Sequence, residues 1–97
     1  MLKLKEEKVP IISQFYGIVV TMYYHEEKGK HHIPHIHIRY NNDKVVYDFE
    51  CNIIEGNIPY KQKRIIEAWI VIHREELITL WNIMQEGKEY FKIEPLK

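Results

Sequence analysis

Apolar and polar residues alternate along two neighbouring stretches in the first half of the chain. In the first stretch, residues 35–40, two isoleucines and a tyrosine fall on one face, while two histidines and an arginine fall on the other. The same alternation returns over residues 45–50. Residues 41–44 read Asn-Asn-Asp-Lys, and such residues favour tight turns. The pattern therefore predicts a β-hairpin over residues 35–50.

The register of this hairpin is predicted from burial of its apolar face. A loop of two or four residues, centred on positions 42 and 43, places the apolar side chains of the two strands opposite one another. The same register sets His37 opposite Asp48 and His35 opposite Glu50. A slip by one residue would bring an isoleucine against Asp48, which burial of one face penalises.

Other parts of the chain predict the remaining elements. Residues 11–24 are rich in β-branched and aromatic side chains, which predicts one strand, bent near Gly17. Apolar residues recur at helical spacing over residues 60–86, without glycine or proline. One straight helix of this length would extend roughly 40 Å, so we predict a bend or break near residues 73–75. A final short strand is predicted over residues 90–96.

The fold class that follows is α+β. We predict a small antiparallel sheet of three to five strands, including the 35–50 hairpin, covered on one face by a C-terminal helix pair or a bent helix. Residues 10–97 are predicted to form a single domain after a flexible tail, residues 1–9, that lacks the apolar stretch of a signal peptide. No apolar run reaches the length of a membrane span.

The single Cys51 has no disulfide partner within the chain, which favours a cytoplasmic location and a buried, inert thiol.

Charge restricts the partners that the chain can attract. Fourteen basic residues balance fourteen acidic ones, so the chain has no overall field for nucleic acid or anionic lipid. A nucleic-acid partner would need a local basic patch. The apolar stripes that contain Tyr47, Trp69 and Trp81 predict that these aromatic residues pack in the core.

Four of the six histidines lie between positions 31 and 37, beside the predicted hairpin carboxylates. One interpretation is a transition-metal site for zinc, nickel or iron, because imidazole and carboxylate groups are suitable ligands for these ions. Its ligand candidates are His31, His35, His37, Asp48 and Glu50.

A second interpretation is acid–base catalysis. Imidazole titrates near neutral pH, so His35 and His37 could exchange protons while Arg39 stabilises charge on a phosphate. A third interpretation is a solvated sheet face with weak histidine–carboxylate pairs, because structural ion pairs produce similar clusters. The pattern does not choose among the three, and whether the protein is an enzyme stays open.

Several short motifs along the chain resemble one known family. They are Phe15-Tyr16-Gly17-Ile18, Met22-Tyr23, Pro34-His35 with His37, Gly56 with Pro59, Trp69, Glu76-Leu77, Trp81, and Ile93-Glu94-Pro95-Leu96. Together they resemble the bacterial domain of unknown function 4160, over about residues 10–96. The family's central motif reads acidic-His-x-Pro-Pro-His-aromatic-His. The chain matches it at His31, Pro34, His35 and His37, and departs from it at Lys30, Ile33 and Ile36.

The resemblance implies a small prokaryotic cytoplasmic protein that is encoded beside another small protein, in a toxin–antitoxin-like arrangement. From it we expect a toxin–antitoxin component that acts on RNA through the histidine-rich sheet face. The alternative is a non-catalytic metal-binding or protein–protein interaction module. The expected partners are RNA and the neighbour-encoded small protein, with no membrane, and the edge strands of a small sheet also permit a homo-oligomer.

Overall fold

The computed structural model describes residues 9–24 and 33–97 of the chain. These residues form β1 (Ile11–Phe15), β2 (Ile18–Thr21), β3 (His35–Tyr40), β4 (Asp43–Asp48), β5 (Ile53–Gly56) and α1 (Tyr60–Gln85). The strands form one antiparallel sheet in the order β1-β2-β3-β4-β5, so each strand pairs with its neighbour in sequence. The predicted α+β fold is confirmed. The predicted tail lies outside the described residues, except for the exposed Val9.

The prediction of one bent strand over residues 11–24 is wrong, because the chain reverses direction at Tyr16 and Gly17. Both residues have positive φ, +50° and +77°, as the two central residues of a type I′ turn require. Phe15 pairs with Ile18 across this turn. The glycine therefore closes a two-residue hairpin and separates β1 from β2.

The predicted register of the β3–β4 hairpin is also wrong, by two residues. The turn is at Asn41-Asn42, with Asn41 at φ +55°, and it pairs Tyr40 with Asp43. A shift by two residues keeps every side chain on its own face, so burial of the apolar face does not oppose it. The cross-strand partners change, however: His35 is opposite Asp48.

Helix α1 bends at His73, as predicted. This residue has φ −109° and ψ 20°, outside the helical range, within an otherwise continuous helix of 26 residues. The Nδ1–H of His73 donates a hydrogen bond to the Glu76 carboxylate, and its ring lies 5.4 Å from the Trp69 ring. Both halves of the helix contribute to the core, with Ile66 and Trp69 buried before the bend and Leu77 after it. Within the described part of the chain, no helix is long and apolar enough to cross a membrane.

The core lies between α1 and one face of the sheet. Its fully buried large side chains are Trp69, Tyr47, Ile12, Ile18, Met22, Ile36, Ile38, Ile66, Ile70, Leu77, Leu80 and Met84. Trp81 is also buried, so the three aromatic residues that the stripes assigned to the core are confirmed there. Each Å² of apolar surface removed from water contributes about 25 cal/mol to the free energy of unfolding, so this layer is the main source of stability.

The predicted last strand, over residues 90–96, is wrong. The segment returns to the free edge of β1, where the Ile93 amide donates to the Ile12 carbonyl at 2.8 Å. The Trp69 indole N–H donates to the Glu94 carbonyl at 2.9 Å and holds the segment against α1. Pro95 has no N–H to donate, so it cannot extend a strand ladder through its own amide.

Tyr47 provides a test of how the core connects the sheet to the helix. Its hydroxyl donates to the Glu67 carboxylate at 2.7 Å, and burial, followed by this hydrogen bond and the Glu67 charge, raises its pKa above the ordinary value near 10. Above about pH 10 an unfolded tyrosine loses its proton while folded Tyr47 keeps it. The folded state then binds more protons, so the free energy of unfolding falls as pH rises.

We expect Tyr47→Phe to cost about 1–3 kcal/mol near neutral pH, because the buried hydrogen bond is lost. We also expect the variant to lose less stability than the unsubstituted protein between about pH 9 and pH 11. Urea unfolding at both pH values measures the two effects. An identical pH dependence in the two proteins would show that Tyr47 does not carry it.

Candidate functional site: the open face of the sheet

The face of the sheet that α1 does not cover contains a groove of about 440 Å³. Its apolar lining includes Ile11, Val19 and Val46. Its polar lining residues are Thr21, Tyr23, His37, Arg39, Lys44 and Glu55. We refer to this set of residues as the open-face groove. In it, His37 of β3 lies next to side chains from the other four strands.

One cross-strand row of the groove contains an imidazole and a carboxylate. Thr21 pairs with His37, His37 with Val46, and Val46 with Glu55. Opposite residues in a sheet share a face, and neighbouring strands lie about 4.8 Å apart. His37 and Glu55 therefore extend from the same surface, about 10 Å apart at the backbone, on either side of Val46.

The adjacent row contains two cations. Val19 pairs with Arg39, and Arg39 pairs with Lys44. Both cations are exposed, and Arg39 follows His37 by two residues on β3, so it shares the same face. The groove therefore has a local basic pair although the chain as a whole has no net charge.

His35 and His37 lie side by side, as predicted, with ring centroids 5.1 Å apart. His37 is half-buried and lines the groove, with its ring 4.9 Å from the Tyr23 ring. His35 is only 1% exposed and lies 5.2 Å from the Trp81 ring, while its Nδ1–H donates to the Ile33 carbonyl at 2.7 Å. The two imidazoles thus differ in access: His37 can meet a ligand in the groove, and His35 supports it from below.

Asp48 and Glu50 do not occupy the positions that the sequence predicted for them. The Asp48 carboxylate accepts hydrogen bonds from the backbone amides of Glu50 and Asn52, at 2.9 and 2.8 Å. The Glu50 carboxylate pairs with Arg74 at 3.1 Å. In residues 33–97 both carboxylates therefore stabilise the turn after β4 and its contact with α1. The register explains this, because His37 is opposite Val46 rather than Asp48.

The metal hypothesis stays a prediction. Among residues 9–24 and 33–97, no three His, Cys, Asp or Glu side chains are grouped so that they could hold a metal ion. His31, one of the predicted ligands, lies outside the described residues.

Sequence reasoning missed Lys44, which it placed in the turn over residues 41–44, and Glu55, which it did not connect to the histidines. The signal for Lys44 was present, because it precedes Val46 by two residues and so shares its face. The signal for Glu55 was the glycine that follows it. In the structure Gly56 has φ +81°, and its α-carbon lies so near β4 that a Cβ would stand 2.3 Å from the Lys44 carbonyl oxygen. Gly56 thus lets β5 pair closely with β4 and brings Glu55 to the groove.

Cys51 lies outside the groove at the turn after β4. It is half-buried, and its thiol donates to the Glu67 carbonyl at 3.6 Å. Burial, followed by the Glu67 charge, raises the pKa of this thiol. A raised pKa keeps the thiolate scarce near neutral pH, which fits the expectation of an inert cysteine.

The chain matches the model of a known protein family. The family described as Domain of unknown function (DUF4160) matches residues 17–82, more than half of the chain, so the predicted family is confirmed over a shorter stretch than residues 10–96. The matched stretch includes Thr21, Tyr23 and every groove residue from β3 to β5. No curated protein and no solved structure matches the chain.

Proposed function

We propose that this chain, which belongs to the family Domain of unknown function (DUF4160), binds single-stranded RNA in its open-face groove and cleaves the phosphodiester backbone. In this proposal it is a component of a bacterial toxin–antitoxin pair. One observation carries the proposal: the groove combines the cationic pair Arg39 and Lys44 with the imidazole of His37 and the carboxylate of Glu55. Charge neutralisation and proton transfer are the two requirements of phosphodiester cleavage.

Binding is assigned to the cations and to the aromatic residue at the edge of the groove. Arg39 and Lys44 are adjacent and exposed, and guanidinium and ammonium groups are the usual donors to phosphate oxygens. Tyr23 is 37% exposed, so its ring can stack on an unpaired base, as exposed aromatic residues do in sheets that bind RNA. Val19 and Val46 provide an apolar floor between these contacts.

The chemistry is assigned to His37 and Glu55. Glu55 takes the proton of the ribose 2′-hydroxyl, and the 2′-oxygen attacks the phosphorus. His37 gives a proton to the departing 5′-oxygen as its bond to phosphorus breaks. The products are a 2′,3′-cyclic phosphate and a 5′-hydroxyl, and Arg39 stabilises the charge that grows on the phosphoryl oxygens.

His35 has a positioning role in this proposal and does not exchange protons with the substrate. Its ring is buried between Trp81 and His37, where an RNA strand in the groove does not reach it. The hydrogen bond to the Ile33 carbonyl fixes the orientation of the ring, and the ring in turn supports His37. In this proposal the two proton transfers that were expected of His35 and His37 are therefore made by Glu55, as the base, and His37, as the acid.

The test of RNA binding uses fluorescence anisotropy with a labelled single-stranded RNA. Two phosphate contacts predict that the logarithm of the binding constant falls with the logarithm of salt concentration with a slope of about −1.4. We expect Arg39→Ala/Lys44→Ala to weaken binding roughly 100-fold at low salt, because each charge-assisted hydrogen bond contributes about 1.5 kcal/mol or more.

Lys88→Ala/Lys92→Ala is the matched control, because it removes two exposed positive charges outside the groove. We expect it to bind RNA within about threefold of the unsubstituted protein, since rim charges far from the contact act weakly. An equal loss in the two double variants, or no RNA binding by the unsubstituted protein, would overturn the proposal.

A further inference from the structure

The outer face of α1, directed away from the sheet, carries exposed apolar side chains. Tyr60 is 69% exposed, Val71 and Ile72 are each 63% exposed, and Ile78 is 44% exposed. Exposed Ala68 lies between the first two positions. Spacings of three and four residues place these side chains along one side of the helix. Apolar strips of this kind are typical of protein–protein contacts.

Opposite charges flank the centre of this strip at equal distances. Arg64 lies four residues before Ala68, and Glu75 lies four residues after Val71. The order Arg64, Ala68, Val71, Glu75 is therefore symmetric in position and antisymmetric in charge. If a second copy of the helix runs in the opposite direction, Arg64 meets a carboxylate, whereas in a parallel pair it meets another arginine.

From this symmetry we propose that a second copy of the chain covers the strip through an antiparallel α1–α1 contact. The two-fold axis passes midway between positions 64 and 75. Arg64 then pairs with Glu75 of the partner subunit, and Ala68 packs against the partner subunit's Val71. The same register sets Tyr60 beside the partner's Ile78, so the exposed apolar residues at both ends of the strip are covered.

The dimensions of the helix suit this contact. Residues 60–79 follow about 28 Å of the helix axis, which bends at His73, and packed helices lie about 8–10 Å apart between axes, depending on the side chains at the contact. Ala68 provides the small residue near the centre of the strip.

Arg64 can make the contact without losing its present ones. Its side chain is 62% exposed, with the guanidinium 5.1 Å from the Tyr60 ring and 3.6 Å from the Glu67 carboxylate. A guanidinium has five N–H donors, so it can also bind the partner subunit's Glu75.

This proposal does not depend on the RNA function. The strip and the open-face groove lie on opposite sides of the protein. The strip is on the outer face of α1, and the groove is on the face of the sheet that α1 does not cover. Both grooves of the dimer therefore stay accessible, and failure of either proposal leaves the other untouched.

Charge reversal tests the pairing directly. In sedimentation equilibrium, the apparent mass of the unsubstituted protein is expected to approach twice the chain mass of 11.9 kDa as the concentration rises. We expect Arg64→Glu alone, or Glu75→Arg alone, to weaken dimerisation at least about tenfold, because each places like charges opposite one another. The double variant Arg64→Glu/Glu75→Arg restores the opposite pairing and is expected to return within about threefold of the original dissociation constant.

Lys92→Glu is the control, since it reverses an exposed charge on the C-terminal segment outside the strip. It is expected to leave the dissociation constant unchanged, and circular dichroism checks that each variant is folded. The proposal is overturned by a protein that stays monomeric at every concentration, or by a double variant that dimerises no better than the single ones.

Discussion

Replacing His37 with alanine is expected to slow RNA cleavage by about 100- to 10,000-fold, the usual contribution of one general acid or base. The physical reason is that His37 is the half-buried imidazole that lines the groove, whereas His35 is buried beneath it. Arg39 and Lys44 remain in the variant, so RNA binding is expected to stay within a few-fold. The measurement is the rate at which a 2′,3′-cyclic phosphate forms from a short RNA at saturating protein.

Two controls separate catalysis from folding and from binding. His73→Asn changes a histidine that packs on Trp69 outside the groove, and it is expected to keep the cleavage rate. A DNA strand of the same sequence lacks the 2′-hydroxyl, so it is expected to bind without being cleaved. If His37→Ala cleaves RNA as fast as the unsubstituted protein, His37 is not the proton donor.

The same variant has an expected effect in cells. If the protein is the toxin of the proposed pair, it is expected to arrest growth when it is expressed alone, and His37→Ala is expected to remove this arrest. Co-expression of the antitoxin that the proposed pair requires is expected to relieve it. Growth curves with equal protein levels measure both effects, and unimpaired growth with the unsubstituted protein would contradict the toxin assignment.

Replacing Gly56 with alanine is expected to destabilise the fold by about 3 kcal/mol or more. A Cβ at this position would stand 2.3 Å from the Lys44 carbonyl oxygen and 3.1 Å from the Val45 Cα, both backbone atoms of β4. The φ of +81° adds the cost of the left-handed region for a residue with a side chain. For a domain of this size the loss corresponds to a fall in Tm of roughly 15 °C.

Gly17→Ala is the matched control, because Gly17 has a similar φ of +77°. There a Cβ would meet the side-chain ring of Tyr40 at 3.3 Å, and the ring can shift. We expect a loss of about 1 kcal/mol, the cost of the backbone conformation alone. Thermal unfolding of both variants measures the difference, and equal losses would show that the contact of Gly56 with β4 is not limiting.

Periodicity predicted the faces of the strands correctly but could not fix their partners. Side chains in a strand repeat every two residues, so a register that differs by two residues buries the same face. The turn decided between them: Asn41 adopts positive φ and starts a two-residue loop one position earlier than expected. Only the conformation of the turn distinguishes the pair of His37 with Val46 from the predicted pair with Asp48.

Gly17 illustrates the same limit, whereas the bend at His73 was within reach of the sequence. Gly17 signals a break in a strand equally well for a bend and for a tight turn, and only pairing of Phe15 with Ile18 distinguishes them. The bend of α1 was predictable from its length, because a straight helix would extend beyond the sheet that it covers. The bend occurs at His73, within the predicted residues 73–75.

The candidate site was only partly predictable for a related reason. The histidine pair comes from one strand, so local alternation was sufficient to find it. Lys44 and Glu55 join His37 only through pairing across β3, β4 and β5, which depends on the register. Asp48 and Glu50 have the right chemistry for the predicted pairs, but hydrogen bonds at the turn after β4 hold Asp48 and an ion pair with Arg74 of α1 holds Glu50.

The most direct test of the central claim, that the open-face groove binds RNA, is to follow backbone amide resonances by NMR while a short single-stranded RNA is added. Binding in the groove predicts changes concentrated at Val19, Thr21, His37, Arg39, Lys44, Val46 and Glu55, with the outer face of α1 unchanged. Changes concentrated on α1, or no changes at any RNA concentration, would contradict it.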